Sequence, residues 1–247
     1  MKKSGFNLIE LLSVMGVLAI AGTLTFPAWR DALAASRRAA CASNLRQMAT
    51  AYLGYMIDHD GALFPYMTQE GGDRIWFWGR EIGNAAEGQR VIDRTQARLA
   101  PYLGVATVET CREFPYRATF YKQKFETATY GYGLNHYLLR GMPANSSAGI
   151  VAFNSITHPA STILWGDAAQ INTWQAPASP RNPMLEEWYY LSHFEPTYHF
   201  RHGRRVQVAM ADGGVRLLEP HRLLPQCDGQ VGHLEPPGRN DYLRPLK

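Results

Sequence analysis

The segment from Phe6 to Pro27, FNLIELLSVMGVLAIAGTLTFP, constrains this chain more than any other. Two lysines, Lys2 and Lys3, precede it, and from Leu11 to Phe26 there is no charge at all. As a helix of about 20 residues it reaches about 30 Å, the thickness of a bilayer's hydrocarbon layer. The lysines favour an amino terminus in the cytoplasm, with the rest of the chain exported. A cleavable signal peptide is the alternative, because "LAIAGTLTF" offers small residues for a cut near Ala21, although such signals have a shorter apolar region. Glu10 fits neither reading by itself. A carboxylate inside hydrocarbon is costly and calls for a partner.

Past Pro27 the apolar residues Trp29, Leu33, Ala40, Leu45, Met48, Tyr52, Tyr55 and Met56 recur at the three-to-four spacing of one helical face. Arg30, Arg37, Arg38 and Arg46 fall on the other faces. The spacing predicts that the apolar helix continues as an amphipathic one to about His59, roughly 80 Å in all. Pro27 should bend or interrupt it, since proline lacks the backbone donor and crowds the preceding turn. "DHDGALFPY" (58–66) carries turn chemistry that ends the helix, and capping explains Asp58, His59 and Asp60.

The remainder reads as an α+β head on an antiparallel sheet. Candidate strands cover 129–139, 161–168, 198–203, 205–211 and 214–219. Asp212-Gly213-Gly214 forms a hairpin turn between the last two. Residues 88–103 suggest a short helix, 174–187 a proline-rich loop, and the tail from Pro220 irregular structure. The divisions expected are 1–5, 6–28 for the membrane half of the helix, 29–59 for its amphipathic half, and 60–247 for the head.

At 247 residues the chain has length for one generous domain or two small ones. A formal charge of +4 with scattered Lys and Arg makes nucleic acid an unexpected partner. Cys41, Cys111 and Cys227 contain no CxxC pair, which excludes a zinc ribbon or a thioredoxin-like motif. An exported head could bridge one pair, with Cys41 and Cys111 the candidates, or keep all three thiols reduced. No GxSxG, HExxH, P-loop or dinucleotide fingerprint appears.

"KKSGFNLIELLSVMGVLAI" resembles the class III signal of type IV prepilins and type II secretion pseudopilins. In that family a short basic leader ends in Gly, Phe usually follows, and a Glu lies five places into the mature chain; Gly5, Phe6 and Glu10 match. Pro27 falls where the family commonly carries a helix-bending proline. The resemblance implies a pilin-like α+β fold with a long N-terminal helix against a sheet. It also implies cleavage between Gly5 and Phe6 by prepilin peptidase, and methylation of the new Phe6 amine. Losing Lys2 and Lys3 takes the formal side-chain charge from +4 to +2. Glu10 would pair with the Phe6 ammonium of a neighbouring subunit in a filament. The implied partners are other pilin or pseudopilin subunits, the inner-membrane assembly platform and the lipid bilayer, with the head in the periplasm. The implied role is structural, not enzymatic.

"RHGRRVQVAMADGGVRLLE" is similar to the His, nine residues, Asp-Gly ending of prepilin-like proteins of planctomycetes and verrucomicrobia, through His202, Asp212 and Gly213. "CASNLRQMATAYLGYMIDHDGALFP" and "YGYGLN" look like recurrent segments of the same group. Arg204-Arg205 and Gly214 depart from its usual pattern.

A strand over 205–211 separates His202 from Asp212 by about 25 to 30 Å, which rules out a dyad between them and leaves Asp212 a turn role. Asp167 also ends an apolar strand. If the two strands are neighbours, Asp167 and Asp212 could cluster near His136 or His199 and hold calcium, although no EF-hand spacing is present. The "WFW" run at 76–78 would line a groove or, as is commoner for such rings, pack in the core. Two other functions stay open: a membrane-tethered binding protein that never polymerises, and an exported enzyme built around Asp167 and Asp212.

Overall fold

The computed structural model describes residues 7–103, 108–141, 153–236 and 239–243. The leader residues 1–5, Gly5 included, and Phe6 after them lie outside these. The chain divides into two units, Met1–Ala39 and Ala40–Lys247, and one helix, α1 (Leu8–Asp58), contributes to both.

In the first unit α1 opens with a capping box. The backbone N–H of Asn7 donates to Glu10 Oε2 at 3.0 Å, and Asn7 Oδ1 accepts from Ile9 N at 3.5 Å. The apolar side chains that follow stay uncovered: Leu8 is 74% exposed, Ile20 64% and Trp29 68%. Among the described residues, α1 is the one helix long and apolar enough to cross a membrane. Pro27 lies inside α1 and does not interrupt it.

In the second unit the predicted face is buried. Leu45, Met48 and Tyr52 are fully enclosed, and Tyr55 and Met56 nearly so. Each such aliphatic side chain contributes about 1.5–3 kcal/mol of transfer free energy, so packing fixes this half of α1. Tyr52 Oη donates to the Leu138 carbonyl at 2.6 Å, and its ring meets Phe64 and Trp165. The helix ends in a Schellman arrangement, with Gly61 N donating to Met56 O at 2.7 Å while Asp60 takes a left-handed φ of 54°.

The central sheet has five strands in the order Tyr190–Leu191, Tyr132–Asn135, Ile163–Asp167, Val206–Met210, Val215–Leu218. The first pairing is parallel and the other three are antiparallel, so the sheet is mixed. Gly133 permits the parallel crossing, because a Cβ there would stand 3.0 Å from the Tyr190 backbone. Short sheets surround this one. Thr68–Glu70, Asp73–Ile75, Arg80–Ile82 and Val91–Asp93 form an antiparallel meander, while Tyr198–His199, Val231–His233 and Arg222–Leu223 form a three-stranded sheet.

Three expectations change. Residues 88–103 hold a strand and a 3-10 turn before a helix of only four residues, Ala100–Leu103. The end of the 174–187 loop is a strand, Met184–Glu187, paired with Ala169–Asn172. The tail after Pro220 supplies two strands and the fully buried Leu243. Phe77 and Trp78 are core residues, Trp78 stacking on Tyr189 at 4.0 Å between centroids.

Candidate functional site

Asp167 closes the strand Ile163–Asp167, whose antiparallel neighbour Val206–Met210 pairs Val208 with Gly166. The carboxylate therefore lies beside the start of that neighbour, and Gln207 N donates to Asp167 Oδ2 at 2.8 Å. Just upstream, Gly203 and Arg204 both take positive φ, 64° and 60°, and His202 N donates to Arg205 O at 3.1 Å. This tight turn folds the chain back and brings Arg201 and His202 onto Asp167.

Arg201 is the hub, and it is fully enclosed. Its Nη2 donates to Asp167 Oδ1 at 2.6 Å and to the Gly131 carbonyl at 2.5 Å. Nη1 faces His199 Nδ1 at 3.2 Å, and Nε donates to Cys111 Sγ at 3.2 Å. A guanidinium only donates, so His199 Nδ1 accepts, and its Nε2–H donates to Asp228 Oδ2 at 2.8 Å. His199 is thus neutral, and burial pushes its pKa down against the pull of Asp228.

His202 Nε2 lies 3.3 Å from Asp167 Oδ2 and 3.9 Å from Cys111 Sγ. Burial disfavours its charge, but the hydrogen bonds to Asp167 and Cys111 prevail and raise its pKa to about 9. Cys111 Sγ in turn lies 2.9 Å from Cys41 Sγ, on α1, and both thiols are buried. The hydrogen bond from Cys41, assisted by Arg201, holds the Cys111 thiol well below the usual thiol range and raises that of Cys41. Asn44 Nδ2 ties the same loop to α1, donating to Glu109 O at 2.8 Å and to Tyr132 Oη at 3.1 Å.

The structure thus joins His202 to Asp167 and leaves Asp212 apart. Because the strands ending in Asp167 and Asp212 run antiparallel, the two carboxylates stand at opposite ends of the sheet. The calcium pair proposed for them is not formed. Asp212 instead shapes the hairpin, its Oδ1 accepting Gly214 N at 2.9 Å while Gly213 takes a φ of 84°. His136 is elsewhere, its Nδ1 at 2.7 Å from the Leu191 carbonyl. Both oxygens of Asp167 already take protein donors, which suits a buried strut better than a hard-cation ligand. Cys41, Cys111 and His202 bring their ligand atoms within 4.8 Å of one another.

Sequence reasoning passed over Arg201. Its signal was positional: in "YHFRHG" the polar His199 and Arg201 alternate with apolar Tyr198 and Phe200, and every one of them is buried. A second buried network also went unseen. Glu186 meets Lys122 at 3.1 Å and Lys124 at 3.0 Å, while Glu187 accepts Tyr116 Oη at 2.8 Å and Thr129 N at 3.0 Å. Burial raises the pKa of Glu187, whereas the two lysines outweigh burial at Glu186 and lower its pKa. These groups face one another rather than solvent. An open cleft of about 910 Å³ lined by Arg94, Pro101, Glu109, Arg112 and Tyr130 shares no residue with the Asp167 cluster. No protein-family description, no curated protein and no solved structure matches this chain.

Proposed function

We propose that the chain is a structural subunit of a pilin-like filament, either a type II secretion pseudopilus or a type IV pilus-like fibre. The observation that carries the reading is the uncovered first half of α1. The described apolar side chains from Leu8 to Leu33 are exposed, and Glu10 is the one charged residue between Asn7 and Trp29. Such a surface needs hydrocarbon or other helices around it. A bilayer supplies the first before assembly, and packed neighbours supply the second in a filament. Prepilin peptidase, the assembly platform and other subunits are the partners of this reading, and the head is exported to the periplasm. The ion pairs of the head are internal supports for its surface and perform no catalysis.

Glu10 has a local task and an assembly task. Locally it closes the capping box with Asn7. In assembly it meets the Phe6 ammonium of the next subunit, which offsets the desolvation of both charges. Glu10→Gln separates the two tasks, because glutamine still accepts the Asn7 N–H but carries no charge. Cleavage and membrane insertion should persist while crosslinked multimers fall at least tenfold. Normal multimer yield from Glu10→Gln would defeat the pairing.

A further inference from the structure

Cys41 lies on α1 at the start of the second unit, and Cys111 lies in the loop that Asn44 fastens to the same helix. Their sulfur atoms are 2.9 Å apart across 70 residues of sequence, with exposures of 2% and 0%. Cys227 is partly exposed, and its Sγ is directed at the Pro183 carbonyl at 3.6 Å. We propose that Cys41 and Cys111 are joined by a disulfide in the mature protein, leaving Cys227 as its single free thiol.

A metal is the competing use of this pair, since His202 adds a third ligand atom. Arg201 argues against it. Its Nε already donates to Cys111 Sγ at 3.2 Å, and Asp167, the nearest carboxylate, is taken by Nη2. A divalent ion would sit beside a guanidinium that cannot lose its proton. Nor is the pair a surface redox centre, because neither sulfur is open to a partner protein once the core has closed. Formation belongs to folding in an oxidising compartment.

The oxidant is a small or protein disulfide. The Cys111 thiolate attacks one of its sulfurs and expels a thiolate, giving a mixed disulfide. Cys41 loses its proton and attacks the Cys111 sulfur, expelling the second thiolate. Two protons and two electrons leave the pair, and the oxidant becomes two thiols.

The test uses the full chain, refolded in detergent with oxidised and reduced glutathione, then denatured and alkylated without reductant. The expected result is one alkylated cysteine, Cys227, and a Cys41–Cys111 cross-linked peptide lighter than the two reduced peptides by two hydrogens. Cys227→Ser, in a residue outside the cluster, should then show no alkylation. Three alkylated thiols, a bridge that includes Cys227, or zinc co-purifying with two thiols protected until a chelator is added would each overturn the proposal. The readout does not involve filament assembly, so its failure leaves the filament reading standing, and the converse also holds.

Discussion

Asp167 supports two cationic side chains with one carboxylate, Arg201 on Oδ1 and His202 on Oδ2. The histidine gives the arrangement a pH signature. Its folded pKa of about 9 lies above the ordinary value of about 6.5, so the protonated form is favoured by folding. The stabilisation is complete below about pH 6.5 and is lost as pH rises through about 9. A difference of this size corresponds to about 3 kcal/mol at most. With Cys41 and Cys111 kept reduced, the state in which the Cys111 thiol adds to this shift, the head should therefore lose stability between pH 7 and 9 in denaturant titrations, and His202→Gln should flatten that part of the curve. An identical slope in the variant would show that His202 is not the group responsible. None of this was visible in the residue order, because Asp167 and Arg201 are 34 positions apart and only the register of two strands makes them neighbours.

At the scale of elements, the turn Gly203–Arg204 folds Arg201 and His202 back towards Asp167. Two successive positive φ values form the mirror-image turn that suits a right-twisted ribbon, yet Arg204 pays for a conformation glycine adopts freely. Arg204→Gly should raise stability by about 1 kcal/mol, read as a higher denaturation midpoint with unchanged slope. A loss would mean that the Arg204 side chain contributes more than its backbone costs. The hairpin at Asp212-Gly213-Gly214 was legible for the same reason that its partner Asp167 was misplaced. Turn residues announce a hairpin locally, but which strand lies beside it, and in which direction, depends on distant packing. Antiparallel pairing puts strand ends of the same kind at opposite edges, and so Asp167 and Asp212 separate. The meander over 68–93 escaped notice because its strands are three residues long and lack apolar alternation. Cross-strand ion pairs mark them instead: Arg74 with Glu81 at 2.7 Å and Arg80 with Asp73 at 2.7 Å.

Across the whole molecule, one helix serves two environments, and the change is written in its sequence. Up to Leu33 its described apolar side chains run round every face and are uncovered; from Cys41 most keep to one face and are buried, with Ile57 the exposed exception. The second pattern needs a protein core, and the first needs lipid or neighbouring helices. A helix divided in this way, with one carboxylate near its start, is what the proposed subunit, held first in a bilayer and then in a filament, requires. The long helix and the sheet-rich head were readable from periodicity and turn chemistry, whereas the head's interior was not, because its charges pair through space. Mass spectrometry of the mature amino terminus tests the central claim most directly. The account predicts a chain that begins at Phe6 and carries a methyl group on its amine; an intact Met1, or a cut near Ala21, would contradict it.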